Sequence, residues 1–224
     1  MTEKQKKLRM QSIVAALKAV YPTAVCALEA GGDPFKLLVM GRLSAQCTDA
    51  RVNIVCRELF ARYGTAVALA EADVRDVEEI VRPCGLYHTK ARNIIDASRM
   101  LLLEYGGELP SDMDELLKFP GVGRKIANLL RGDIFGLPAI VADTHCIRIC
   151  ARLGMYATTL KDPTKVERIL VKLVEPQEQS DFCHRIVQFG RDFCTARAPR
   201  CEVCPLGALC EMRLRTKNNA KGTG

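Results

Sequence analysis

The chain has 224 residues, 48% of them hydrophobic and 26% charged, with a net charge of +7. That is enough apolar matter for a real core, enough length for one domain or two small ones, and a basic excess that favours an anionic partner such as nucleic acid. No apolar run is long enough to span a membrane and the polar start, Met1-Thr2-Glu3-Lys4, is no secretion signal, so a reducing cytoplasm is expected, where eleven cysteines, an odd number, fit poorly with a disulfide framework.

Helical periodicity runs through the sequence. From Met10 to Val20, the residues Ile13, Val14, Leu17 and Val20 share one stripe. Thr48 is placed to cap a helix carrying Val52, Val55, Cys56 and Leu59, which Gly64 ends. Further helices are expected over residues 73–81, 87–104, 111–118, 125–135, 143–153, 163–173 and 181–193. Glycine and proline punctuate the connectors between them. Only Ala139-Ile140-Val141 reads as strand-like, and it is very short. The expectation is an all-α protein of about ten helices, with a frayed polar tail at Asn218–Gly224.

Phe119-Pro120-Gly121-Val122-Gly123-Arg124-Lys125 joins two of these helices. Two glycines there permit a tight turn with positive φ. They also leave backbone N–H groups uncovered at a helix start, where the dipole favours an anion such as a phosphate. A plain turn between helices would use the same residues, so the glycines alone decide little. Lys125 adds weight. A cation in the first turn opposes the helix dipole at a cost of about 0.3–1 kcal/mol. That field, and any partial burial, favours the neutral amine, which is a nucleophile able to form a Schiff base.

Asp143, in Val141-Ala142-Asp143-Thr144-His145, is a leading type of N-cap residue for the helix that follows. The same carboxylate could stabilise a cationic sugar transition state or assist proton transfer. Both roles are compatible. Near the end of the chain, Cys194, Cys201, Cys204 and Cys210 stand in the spacing C-x6-C-x2-C-x5-C. Thiols this close are expected to be bridged to one another or to hold a metal. The spacing leans away from zinc, which usually takes two tight pairs, and the row admits either zinc or iron–sulfur. Most of the remaining cysteines are expected to be small buried hydrophobes, and His88, His145 and His184 to be structural.

Taken together, four blocks resemble the endonuclease III family of iron–sulfur DNA glycosylase/AP lyases. They are Leu43-Ser44-Ala45-Gln46-Cys47-Thr48-Asp49 with Val52-Asn53; Gly85-Leu86-Tyr87 with Lys90-Ala91 and Asn93-Ile94; the hairpin with Lys125; and Asp143-Thr144-His145 with the cysteine row. The resemblance runs from about Leu17 to about Cys210. It implies a helix-hairpin-helix DNA glycosylase fold with two helical lobes and a DNA-binding cleft. One lobe would be residues 27–137, with six helices; the other would join 1–26 to 138–224 and carry the cluster. It further implies that the four cysteines ligate a structural [4Fe-4S] cluster, and that Lys125 attacks the sugar C1′ with Asp143 as the catalytic aspartate. The Schiff base then undergoes β-elimination, nicking the strand 3′ to the lesion.

By the same resemblance Gln46 fills the gap left by a flipped nucleotide, Leu86 wedges into the stack, Gly121, Val122 and Gly123 hold the DNA backbone, and Arg197 and Arg200 contact it. On their own residues, Gln46 reads as a solvated helix end and Leu86 as core. The implied partner is double-stranded DNA with damaged pyrimidines or abasic sites, met by a monomer, nucleoid-associated if bacterial. The rivals are a monofunctional uracil or thymine-mismatch glycosylase and a non-catalytic damaged-DNA binder; the sister branch that removes mismatched adenine lacks the hairpin lysine, so by the same resemblance Lys125 implies the bifunctional branch. Arg42, Ile126, Ala142 and Arg131-Gly132-Asp133 depart from the family pattern, which bears on substrate preference rather than reaction class.

Overall fold

The computed structural model describes residues 1–23 and 25–214. The tail expected to fray, Asn218–Gly224, lies outside the described residues. Among those described there are eleven α-helices, three single-turn 3-10 helices and no strand. The chain divides into two compact units. One is Cys26–Leu137, and the other combines Met1–Val25 with the chain from Pro138 onward.

The continuous unit holds α2 (Pro34–Leu43), α3 (Asp49–Arg62), α4 (Ala66–Ala70), α5 (Val74–Val81), α6 (Tyr87–Tyr105), α7 (Met113–Leu116) and α8 (Arg124–Asp133). Against the six helices expected this makes seven, of which α4 and α7 are about one turn each. Most starts carry a side-chain cap. Asp33 accepts from the Lys36 amide at 3.0 Å, and Thr48 from the Arg51 amide at 3.3 Å. The sequence reading passed over α2 because its periodicity is hidden. Leu37, Leu38, Val39, Met40 and Leu43 are all buried, so apolar residues occupy nearly every side of the helix. Asp33-Pro34, a cap followed by proline at the first helical position, was the available signal.

α6 lies against α4 and α5, and α2 against α8. The second contact is close because of Gly41. A Cβ there would stand 3.1 Å from the Ile126 Cγ2 methyl, so the branched side chain at 126 has its room from the missing side chain at 41. Leu59, Val77, Leu101, Leu116 and Leu130 sit in the middle of this core at 0–1% exposure. Each is worth about 1.5–3 kcal/mol relative to solvent exposure.

The second unit holds α1 (Glu3–Val20), α9 (Thr144–Arg152), α10 (Pro163–Leu173) and α11 (Gln179–Asp192). α1 begins in a capping box between Thr2 and Gln5 and buries Met10, Ile13, Val14 and Leu17 against α10 and α11. Residues 139–141 are not a strand. They run as irregular chain into Asp143, with Ala139 and Ile140 buried, and the Val141 amide donates to the Cys183 sulfur at 3.2 Å. β-branched residues in a short buried connector give the same apolar signature as a strand. α9 and α11 approach closely at Gly190, where a side chain would run into His145, Ile149 and Arg148. No helix among the described residues is long and apolar enough to cross a membrane.

Candidate active site and cluster loop

In the continuous unit, the turn between α7 and α8 brings the chain back on itself. Phe119 is buried and stacks on Tyr105 with ring centroids 5.1 Å apart, while the Val122 amide closes the turn on the Phe119 carbonyl at 3.0 Å. Gly121 has φ +76°, and its hydrogen side is filled by the Arg42 and Asn93 side chains. The Asn93 amide oxygen accepts from Arg42 Nε and Nη2 at 3.0 and 3.1 Å, and its nitrogen donates to the Thr89 carbonyl at 3.0 Å. Arg42, the departure noted above, therefore braces the hairpin from below.

The expectation of positive φ at both glycines is corrected at Gly123. That residue is extended, φ −103° and ψ 176°, and a Cβ there would meet nothing within 4 Å. Its service is different. It is the N-cap residue of α8 and places no side chain over the helix start. The Ile126 and Ala127 amides both turn back to its carbonyl at 3.0 Å. Lys125 follows in the first turn and is exposed, so the partial burial considered for it is not found.

Gln46 and Leu86 are the two non-glycine residues with positive φ among those described, at +55° and +50°. Such backbone costs roughly 1–3 kcal/mol at a side-chain-bearing residue and persists only where surroundings hold it. Leu86 is 58% exposed, which corrects its reading as core. Both residues belong to the same unit as Lys125. The segments behind them are tied together: Lys90 Nζ donates to the Leu43 and Cys84 carbonyls, each at 2.8 Å. The sequence marks Lys90 only as part of a motif; its burial is not foreseen there, since a lysine in an amphipathic helix reads as surface.

In the other unit, Asp143 is the N-cap of α9, and its Oδ1 accepts from the Cys146 amide at 2.7 Å. The carboxylate is half-buried at the mouth of that helix.

The cysteine row closes a compact loop in the same unit. Its four thiols are free of disulfides and line one cavity together with Ile149, Leu153, Phe189 and Leu206. α9 supplies the support. Arg152 donates to the Cys194 sulfur at 3.3 Å and to the Thr195 and Ala196 carbonyls at 2.7 and 2.8 Å, and Arg148 donates to the Cys194 carbonyl at 2.9 Å. At the far end Arg9 of α1 donates to the Leu209 carbonyl at 3.1 Å, next to Cys210. Burial first, then the three neighbouring thiols, push the Cys204 thiol upward. Four unbridged sulfurs facing one apolar hollow, with an arginine aimed at one of them, are a donor set that fits an iron–sulfur cluster. The two loop arginines differ. Both are exposed, but Arg200 also donates to the Asp192 carbonyl at 3.1 Å and lies over the Phe193 ring at 5.9 Å.

A family model described as "HhH-GPD superfamily base excision DNA repair protein" matches residues 39–176, and one described as "Iron-sulfur binding domain of endonuclease III" matches residues 194–210. In sequence the chain is 44% identical over 206 residues to Endonuclease III of Synechocystis sp. (strain ATCC 27184 / PCC 6803 / Kazusa), covering 92% of this chain and 93% of that protein. In structure it is similar to the protein in a non-covalent Endonuclease III–DNA complex, with a TM-score of 0.88 at 39% identity over 97% of this chain and 99% of that one. It is also similar to the protein in a trapped Endonuclease III–DNA covalent intermediate, with a TM-score of 0.87 at 40% identity over 97% and 99%.

Proposed function

This chain belongs to the endonuclease III family of the HhH-GPD superfamily, and we propose that Lys125 is its nucleophile and Asp143 the carboxylate that serves it. The protein is a bifunctional DNA glycosylase and AP lyase of base excision repair. Its fold is the helix-hairpin-helix glycosylase fold, and it holds a [4Fe-4S] cluster. The observation that carries the residue assignment is the bare N-terminus of α8. Gly123 leaves it open to a phosphate, and Lys125 stands exposed in the same turn.

The lysine amine, once neutral, attacks C1′, and the bond from C1′ to the damaged base breaks with the electron pair leaving on the base. The nitrogen gives up its extra proton, and its lone pair then makes the C1′=N bond as the C1′–O4′ bond breaks and O4′ takes up a proton, so the sugar ring opens to the protonated Schiff base. Loss of a proton from C2′ then expels the 3′ phosphate oxygen, which nicks the strand. The Asp143 carboxylate stabilises the cationic sugar and takes part in proton transfer. When bound, the cluster supplies structure rather than base chemistry; Cys194, Cys201, Cys204 and Cys210 would ligate it, and Arg152 and Arg148 hold the first ligand's segment in place.

Oxidised or ring-saturated pyrimidines and abasic sites in duplex DNA are the proposed substrates, met in the cytoplasm by a monomer. Gln46 and Leu86 act on the stack around the flipped nucleotide. Gly121, Val122 and Gly123 receive the DNA backbone, with Arg197 the more available arginine of the cluster loop, since Arg200 is engaged by its own chain. Borohydride trapping on duplex carrying thymine glycol or an abasic site tests the assignment. The parent chain should give a covalent adduct and Lys125→Gln none. An adduct that persists in Lys125→Gln overturns the nucleophile, and base release without any adduct from the parent selects the monofunctional rival.

A further inference from the structure

Lys90 is fully buried, with 0% exposure. A lysine is seldom buried so completely, because taking an ammonium out of water is costly unless its donors are used. Here two of its donors reach main-chain carbonyls. They belong to Leu43, 47 residues back along the chain, and to Cys84, six residues back. Burial lowers the lysine's pKa, the nearby Arg42 adds to that, and the Cys84 and Cys47 thiols oppose it.

The positions of the two carbonyls matter more than their number. Leu43 ends α2, and three residues later comes Gln46 with φ +55°. Cys84 ends the 3-10 helix Arg82–Cys84, and two residues later comes Leu86 with φ +50°. The ammonium thus fastens the last regular residue before each of the two strained, exposed positions. The Cys47 and Cys84 thiols also lie beside each other between the same two segments. One turn further along α6, Asn93 reaches Arg42 beneath Gly121 of the hairpin.

We infer that Lys90 is a positioning residue that sets Gln46 and Leu86 at a fixed separation, ready for the two sides of one opened base stack. This rests on the reading of those two residues as gap filler and wedge. An apolar side chain at 90 would fill the space but leave both carbonyls without their donor. The two left-handed residues would then relax toward ordinary backbone, and the pair would no longer match a rigid stack. Misplacement by about 1 Å at a site remote from the chemistry can cost on the order of 100-fold in rate.

The test compares base release from a lesion duplex with borohydride trapping at an abasic site in a single strand. In the single strand there is no opposing stack to fill or wedge. Lys90→Met should lower kcat/KM on the duplex by about 10–100-fold and leave single-strand trapping by the cluster-loaded protein close to the parent's. Gln46→Ala and Leu86→Ala should each lower duplex activity, and Lys90→Met should add little when combined with both. Lys90→Gln, which keeps N–H donors on a shorter, uncharged side chain, should fall between. If Gln46→Ala and Leu86→Ala impair the duplex reaction and Lys90→Met does not, the positioning role is wrong and the wedge reading stands. If neither Gln46→Ala nor Leu86→Ala matters, the wedge reading fails and takes Lys90's role with it. Equal loss on both substrates, or failure of both Lys90 variants to fold, overturns the proposal by making Lys90 a residue of the fold alone.

Discussion

Asp143 caps α9 and, in the proposed mechanism, also stabilises the cationic sugar, and substitution separates the two roles. The cap needs an oxygen that accepts the Cys146 amide, whereas the chemistry needs a negative charge. Asparagine keeps the first and loses the second. Asp143→Asn should therefore fold with a thermal midpoint near the parent's and lose most of its base release. Asp143→Ala should lose the activity and also about 1 kcal/mol of stability, a few degrees in thermal midpoint for a chain of this size. Calorimetry beside a glycosylase assay reads both. The cap was legible in the sequence because aspartate before a helical stretch has a local cause. Lys90 was not, since its partners come from two distant carbonyls and nothing in Lys90-Ala91-Arg92-Asn93 announces burial. Leu86 failed for a related reason: its exposure depends on a left-handed backbone that the residue type opposes.

Between elements, the hairpin shows two glycines doing unlike work. At Gly121 a side chain faces both positive φ and the packed Arg42 and Asn93 groups. Gly121→Ala should cost about 1–3 kcal/mol, visible in urea unfolding. At Gly123 the backbone is extended and the space is open, so Gly123→Ala should be nearly neutral for stability. It adds a methyl over the α8 start, however, so duplex affinity measured by fluorescence anisotropy should still fall. The motif was readable from its letters; the division of labour required dihedral angles. Helix assignment followed the same rule. Amphipathic helices such as α3 and α10 show their period, while α2, apolar on nearly all sides, and α4, one turn long, have none to show.

For the molecule as a whole, the buried thiols set an alkaline limit. In the continuous unit, burial chiefly pushes Cys26 and Cys56 up to about 12 and Cys84 up to about 11, from an ordinary 9.0. These groups stay neutral in the folded chain at a pH where they ionise in the unfolded one. The unfolded state then binds fewer protons, so stability is intact below about pH 9 and falls as pH rises toward 12. Thermal midpoints should drop between pH 9 and 10.5, and Cys26→Ser should flatten that slope; an unchanged slope would remove Cys26 from the account. That Cys56 and Cys84 are small buried hydrophobes was foreseeable from apolar neighbours, while Cys26 is only partly buried. The support of the cysteine row was not, because Arg148, Arg152 and Arg9 stand 46, 42 and 200 residues from the atoms they hold.

The unit that holds the row is assembled from two stretches of chain, and that imposes an order of events during synthesis. α1 emerges from the ribosome first, yet the helices that cover Met10, Ile13, Val14 and Leu17 are α10 and α11, made about 150 residues later. At a synthesis rate of roughly 5–20 residues per second, its apolar stripe waits for about 8–30 seconds. Meanwhile Cys26–Leu137 is complete and free to fold. Iron delivery has to come last of all, after Cys210 has left the exit tunnel. A nascent chain stalled after the hairpin but before α10 has emerged would carry a finished hairpin and an uncovered first helix, a natural client for a chaperone.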